Sequence, residues 1–597
     1  MKFSDYLANY LYKKKLRNIY CVTGAGSMHF NDSIGSHKGL NVIYTHHEQS
    51  AAMAAEGDAR ITRLPGVVNV STGPGGTNTL TGVTGAWIDS IPMLVISGQV
   101  MKKDIGTTKG MRQLGVQEAD VISMAKPVTK YCTTLTDPYD IELVFDKAIE
   151  TSLQGRPGPV WIEIPLDIQS VKLNLKKIKK TKNIKRNKNK GLSKIVKNKI
   201  ISLIAKSKKP IIISGYGIRS AKAEKEFLKF VNLTKIPIVT SWNTIDIINT
   251  NSKNVIGRSG VFGDRASNYA VQKCDLLIVL GSRMSTAQVG YMDELFSVSS
   301  KKIYVDISKK ELNKKTFKAD FKINQDVKKF LEEINKELIK KFKYKNNFET
   351  WRDRVLYLKN RYKTVLEHQK KVRNYTNSFR FVDQLCKQLQ NKDIVVTDMG
   401  TSFTCTMQAF NSKDSQRLFT SSGLASMGYG LPASIGACFG SNKNRVICIA
   451  GDGGLMFNLQ ELQTIVHYNL PIKIFLIDND GYLTQKLMQI KNFKRYVGAH
   501  PSSGVSCPDF KEIGKAFKIK TSVINNDLSM KPQLKKILKD KKAHLCVIKI
   551  PPMQPLTPRV VMKMNKDGSF DKVGIESVAP FLDDKEHIEN LRLLEDI

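Results

Sequence analysis

The sequence has no apolar run approaching the ~20 residues needed to cross a bilayer. Its first twenty residues, MKFSDYLANYLYKKKLRNIY, lack the apolar centre of a signal peptide and read as an amphipathic helix. No membrane association is therefore expected. The nine cysteines include no CxxC and no other metal-ligand spacing, which excludes a zinc ribbon or a disulfide framework and fits a reducing, cytoplasmic setting. Acidic residues are scarce: 54 stand against 94 Lys and Arg, giving a net charge of +40. That imbalance raises the question of a nucleic-acid partner. No basic stretch is interleaved with aromatics as a stacking platform would need, and the lysines are spread over surface positions and linkers. Nucleic acid is not the expected partner.

What is present is a long chain with ample core material. At 597 residues and 41% hydrophobic content it should hold several globular domains. Buried-strand runs alternate with helical patterns in three segments, so the expected class is α/β, with three doubly wound parallel-sheet domains. The expected boundaries are 1–170, 193–343 and 378–553. A lysine-rich stretch over 171–192 reads as a solvated linker, because it carries too little apolar surface to order it. Residues 344–377 read as a charged helical connector. Residues 554–597 read as a tail, mostly irregular, with a short charged helix at its end.

The most informative stretch is 450–482, AGDGGLMFNLQELQTIVHYNLPIKIFLIDNDGY. A strand run at 445–450 stops at Gly451-Asp452-Gly453-Gly454, a helical pattern covers 458–468, and a second strand run at 472–477 leads to Asn479. Ligands of such units sit at the carboxyl ends of the strands, so Asp452 and Asn479 can meet in one crevice. A carboxylate, an amide oxygen and a backbone carbonyl are hard ligands suited to Mg²⁺, with diphosphate oxygens completing the shell. The glycines let backbone N–H groups come close to phosphates. Gly-Asp-Gly alone would suit an ordinary turn. Followed by Asn479 after 25 intervening residues, it is a thiamine diphosphate (ThDP) fingerprint.

Glu48 stands where another strand run meets a helix, in THHEQSAAMAAEGDAR. With GPGGTN at 73–78, DSIP at 89–92, QEAD at 117–120, GRPGPV at 155–160 and ASMGYGLPASIGA at 425–437, the chain resembles the acetolactate synthase branch of ThDP-dependent enzymes over nearly its whole length. The resemblance implies ThDP and Mg²⁺ as cofactors and a homodimer or dimer of dimers with active sites between subunits. It implies that Glu48 shares a proton with the pyrimidine N1′, and that Gly24 and Ala25 lie in the same cleft. Gly400, Thr401 and Ser402 would hold the diphosphate. Ala425 would offer its carbonyl to the 4′-amino group, and Met427 would hold the cofactor bent. Asp452, Asn479 and the Gly481 carbonyl would ligate Mg²⁺ within a loop completed by Gly451, Gly453, Gly454 and Tyr482. Gln117 and Lys130 are implied beside the reacting centre. Gly215, Gly217, Gly281, Arg283 and Asp306 mark where FAD would bind in the middle segment.

The acceptor region departs from the branch. Where the branch carries RFDDR, this chain reads Arg283-Met284-Ser285-Thr286-Ala287, so Ala287 replaces an arginine linked to 2-oxoacid acceptors. Met488 replaces a tryptophan of the acceptor pocket, Val116 a phenylalanine, and Thr23-Gly24-Ala25-Gly26 a Tyr-Pro-Gly-Gly loop. The expected activity is decarboxylation of a 2-oxoacid, pyruvate as donor, with ligation of the acyl anion to a second carbonyl. The alternatives are a non-ligating decarboxylase or oxidase of the same superfamily, and a basic nucleic-acid-binding protein with an inactive enzyme fold. The acceptor, the oligomer size and any regulatory subunit are not written in the sequence.

Overall fold

The computed structural model describes residues 1–181, 191–341, 348–366, 369, 374–562, 567, 569 and 572–595. Three six-stranded parallel sheets carry the architecture. The first is built from β1 (Asn18–Cys21), β2 (Asn41–Tyr44), β3 (Gly66–Val70), β4 (Met93–Gln99), β5 (Tyr131–Thr134) and β6 (Pro159–Pro165). The second uses β7 (Pro210–Ser214), β8 (Ile238–Thr240), β9 (Val255–Arg258), β10 (Leu276–Leu280), β11 (Lys301–Asp306) and β12 (Phe321–Asn324). The third uses β13 (Ile394–Thr397), β14 (Arg417–Phe419), β15 (Val446–Gly451), β16 (Ile472–Asp478), β17 (Lys520–Ile524) and β18 (His544–Lys549). Central strands such as VICIAG of β15 and LLIVL of β10 are buried along their whole length, which is why they read as continuous apolar runs rather than alternating ones.

The strand orders fix where ligands can sit. The first sheet runs β2-β1-β3-β4-β6-β5 and the third β14-β13-β15-β16-β18-β17, the same layout. The middle sheet runs β12-β11-β10-β7-β8-β9, a different order with its reversal between β7 and β10. In the outer sheets the reversal falls between β1 and β3 and between β13 and β15. Each reversal opens a crevice at the carboxyl ends of the strands.

The two outer domains are joined through helices Glu48–Thr62 and Gly430–Gly440, which touch backbone to backbone. A Cβ on Gly436 would stand 1.7 Å from the Ala54 carbonyl oxygen, and one on Gly57 2.2 Å from that of Ala433. Gly436→Ala is therefore expected to cost on the order of 3 kcal/mol, read as a lowered urea midpoint; an unchanged midpoint would refute this contact. Beside it, fully buried Arg60 donates to Glu56 at 2.7 Å and to Asp89 at 2.8 Å, and Tyr429 donates to Glu56 at 3.1 Å. Tyr216 of the middle domain and Phe419 of the third stack on the guanidinium. The Asp89 of DSIP is thus a tie between domains.

Two expectations change. Residues 171–181 are no free linker: Leu173 and Ile178 are buried on the first domain, and Lys2 bridges to Lys172. Residues 182–190 lie outside the described residues. The tail is likewise pinned. Val560 N donates to the Val261 carbonyl at 2.8 Å, Asn268 to that of Ile575 at 2.6 Å, and helix Asp584–Glu595 packs against helices Arg265–Lys273 and Glu349–Arg361. The apolar residues responsible are too widely spaced for sequence periodicity to reveal.

Candidate active site

At the β13/β15 reversal, the end of β15 runs straight into a helical turn, Asp452–Leu455, rather than the open loop expected before residue 458. The cause is Asp452 itself. Its Oδ1 accepts from Gly453 N at 2.8 Å and Asn479 Nδ2 at 3.1 Å; its Oδ2 accepts from Asn479 N and Gly481 N, both at 3.0 Å. One carboxylate thus binds the ends of β15 and β16 together. Burial pushes it up to about 6, against the backbone N–H groups of Gly481, Gly453 and Asn479, which pull it down. Gly481 has φ +104 and its Cβ position lies 2.5 Å from the Ala499 carbonyl, so no other residue fits there. Tyr482 covers Gly453, whose Cβ position lies 2.1 Å from its ring.

Across the crevice, Gly400 has φ +76 and opens the helix Thr401–Ala409. A Cβ at Gly400 or Gly451 would meet nothing within 4 Å, so both line open space. The first N–H groups of that helix, at Thr401 and Ser402, lack intrahelical partners and suit a diphosphate. Ala425 holds φ 60, unusual for a residue with a side chain, and stands exposed beside half-buried Met427. The groups that fit ThDP and Mg²⁺ are therefore present in one crevice. Among the described residues no group of three His, Cys, Asp or Glu is placed to hold a metal ion. A divalent ion here would rest on Asp452, the Asn479 amide and the Gly481 carbonyl, and would need ligand oxygens to complete its shell.

Sequence reasoning missed two groups here. Asp398, fully buried, accepts from Met399 N at 2.7 Å and Gly428 N at 3.1 Å, fixing the loop that carries Ala425 and Met427; burial pushes it up to about 7. Its signal was a carboxylate at a strand end, one residue before Met399-Gly400. Buried Lys486 donates to the carbonyls of Asn479 at 2.7 Å and Asp480 at 2.9 Å, tying down the loop after β16. Only a lone lysine in a helical pattern pointed to it.

The first domain offers a matching edge. Glu48 is the first residue of its helix, half-buried at the end of β2, and its Oε2 accepts from Asn78 Nδ2 at 3.0 Å. Asn78 lies in GPGGTN, and nothing local in that motif points to this bond. Gly24 and Ala25 follow β1; a Cβ on Gly24 would stand 2.4 Å from Ser71 Cβ, so the two loop ends are in contact. Gln117 joins them, since its carbonyl would lie 2.1 Å from a Cβ on Gly73. Glu118 orders that loop. Although its burial acts to raise it, N–H groups of Thr107, Leu114 and Gly106 hold it down to about 2.

Lys130 is not brought to this edge. It precedes β5, at the amino ends of the strands, where its N–H bonds Pro159 and its amine donates to the Thr151 and Gln154 carbonyls. Burial pushes it down to about 8. Within one chain, no hydrogen bond or ion pair among the described residues joins the Glu48 group to the Asp452 group.

In the middle domain, the β7/β10 reversal opens a cavity of about 610 Å³ lined by Gly217, Gly281, Arg283 and Asp306. Gly215 and Gly217 pack on Gly281, with Cβ positions 2.2 Å and 2.7 Å from its backbone, which brings the two strand ends together. Asp306 ends β11, accepts from Ser308 N at 2.8 Å, and is pushed up to about 6 by burial. A strand-end carboxylate beside glycine turns suits the ribose and phosphates of a nucleotide.

Comparison with known proteins agrees with this layout. Models of the thiamine pyrophosphate enzymes match in three parts: the N-terminal TPP binding domain at residues 1–124, the central domain at 197–334 and the C-terminal TPP binding domain at 398–550. The acetolactate synthase large subunit of Cyanidium caldarium is 31% identical over 547 residues, covering 89% of this chain and 90% of its own length. A probable acetolactate synthase large subunit of Methanocaldococcus jannaschii is 31% identical over 93% of each chain, and that of Porphyra purpurea, an acetolactate synthase large subunit, is 32% identical over 83% and 82%.

Proposed function

The chain belongs to the thiamine pyrophosphate enzymes, on their acetolactate synthase large-subunit branch, and on that premise we propose that it decarboxylates a 2-oxoacid, pyruvate foremost, and joins the acyl group to a second carbonyl. The observation that best supports this is the Asp452–Asn479 clasp facing the open helix start at Gly400. When bound, ThDP would supply a nucleophilic carbon and the electron sink that decarboxylation needs. The chain's own groups bind and orient. Thr401 and Ser402 N–H groups take the diphosphate; Asp452, Asn479 and the Gly481 carbonyl take Mg²⁺; Met427 packs against the cofactor. Glu48, steadied by Asn78, holds a proton at the pyrimidine N1′. ThDP- and Mg²⁺-dependent release of CO₂ from pyruvate tests the reading, and its absence would refute it.

FAD is proposed for the middle cavity, supported by Asp306 and the Gly215–Gly217 and Gly281 turns. A homodimer is proposed because the Glu48 and Asp452 groups share no bond among the described residues of one chain, while Leu114 and Val116 near Gln117 and Phe457 near the Asp452 turn stand exposed. The name large subunit in the relatives supports a further, smaller partner chain. No described helix is long and apolar enough to cross a membrane, and all nine cysteines are unpaired, which supports a reducing cytoplasmic setting.

The acceptor is proposed to be uncharged, an aldehyde or ketone such as a keto-sugar derivative. A buried carboxylate normally needs a bidentate arginine. Ala287 provides none, and the two other candidate cations are occupied: Arg283 donates to the Ile88 carbonyl at 3.2 Å beside Asp89, and Lys130 lies at the opposite strand ends. Losing such a charged bond costs about 2–5 kcal/mol, on the order of thirty- to several-thousand-fold in discrimination. Steady-state assays should show pyruvate as a poor acceptor by that factor. Efficient acetolactate formation, unaffected by added aldehydes or ketones, would contradict this.

A further inference from the structure

A second cavity, of about 330 Å³, lies where β9, helix Glu349–Arg361 and the carboxyl end of helix Thr401–Ala409 converge. It shares no residue with either crevice described above. The helix Thr401–Ala409 separates it from the diphosphate loop by nine residues, about 13 Å along its axis.

Its lining carries more cations than carboxylates to cover them. Arg380 and Lys387 are paired, through Asp383 and Asp527. Asp264 accepts from Arg258 N at 2.7 Å and Ser267 N at 2.8 Å; it makes no ion pair with the Arg258 guanidinium among the described residues and acts on Arg258 and Lys359 only through space. Arg258 is only 7% exposed, yet it donates solely to backbone oxygens of Gln408 and Phe410, and its Nε has no described partner. Half-buried Lys359 donates only to the Val255 carbonyl, at 2.8 Å. Lys363, at the mouth, has no partner among the described residues. Burial lowers both Arg258 and Lys359 from their ordinary values. Neutral carbonyls do not offset the desolvation of two cations; an anion would.

We infer that this cavity is a binding site for a small phosphomonoester, its dianionic phosphate held by Arg258, Lys359 and Lys363. Asp264 offsets one of the three positive charges and leaves two, which a dianion matches, and guanidinium with ammonium is a donor set matched to phosphate. At ~30 Å³ per water the cavity has room for about ten waters, more than a bare phosphate fills.

The test is calorimetry on holoenzyme saturated with ThDP and Mg²⁺, so that the diphosphate loop is filled, at fixed ionic strength. Glycerol 3-phosphate and inorganic phosphate are the probes. Expected is saturable binding of one ester per chain, tighter than inorganic phosphate, which competes for the same site. Lys359→Met and Lys363→Met should each weaken it tenfold or more, with CO₂ release in phosphate-free buffer unchanged. Lys363 is exposed, so Lys363→Met keeps the test decisive should Lys359→Met fail to fold. Inorganic phosphate binding as tightly as the ester would overturn the ester and identify free phosphate as the ligand. No saturable binding of either probe, or binding equal in wild type and Lys363→Met, would overturn the site.

Discussion

Glu48→Gln is expected to lower turnover by about 10²–10⁴-fold while ThDP stays bound. The substitution keeps size and the acceptor that Asn78 Nδ2 meets at 3.0 Å, so the side chain should hold its place. What it removes is the proton that a carboxyl can share and an amide cannot. Only one carboxylate oxygen of Glu48 has a described partner, which leaves the other available to the cofactor. Calorimetry should give a ThDP affinity within a few-fold of wild type, while the exchange of the cofactor's C2 proton, followed by NMR, slows with turnover. Near-normal turnover would remove Glu48 from the chemistry.

Asp452→Ala should act on binding instead. Its carboxylate gathers four N–H donors from Gly453, Asn479 and Gly481, so its loss both removes a metal ligand and loosens the loop that presents the other two. Removing a buried charged partner costs about 2–5 kcal/mol, or on the order of thirty- to several-thousand-fold in affinity for ThDP with Mg²⁺. Unchanged affinity would refute the metal assignment. Mixing Glu48→Gln and Asp452→Ala chains should restore about a quarter of wild-type activity, since half the dimers are hybrids with one intact site. No recovery after verified subunit exchange would contradict a site shared between chains.

The fold was legible wherever apolar runs were continuous. Strands β15 and β16 fall within a residue of the runs expected at 445–450 and 472–477, because each is buried along nearly its whole length. Strand order was not legible, because it is set by which helices pack between sheets; the middle domain's different order leaves no local mark. In the site, strand-end polar residues gave Asp452 and Asn479, while Gly400 and Gly481 came from the resemblance; both glycines hold a positive φ. Asp398 and Asn78 escaped because their bonds run to loops 30 residues away, and Lys486 because a lone lysine in a helical pattern gave no sign that it turns back to Asn479. Lys130 misled for the converse reason: its motif lies near the cleft in sequence, but β5 carries it to the other edge of the sheet. The docked tail escaped because Val560 and Ile575 find their partners on a domain some 300 residues away.

The most direct measurement is ¹³C NMR of the products formed from [2-¹³C]pyruvate by the enzyme with ThDP and Mg²⁺, in the presence of an uncharged ketone or aldehyde. The labelled carbon should appear in a new carbon–carbon bond to the added acceptor, with acetolactate a minor product, and nothing should form without ThDP. Label found only in acetaldehyde or acetate would contradict carboligation and place the chain among the non-ligating decarboxylases or oxidases.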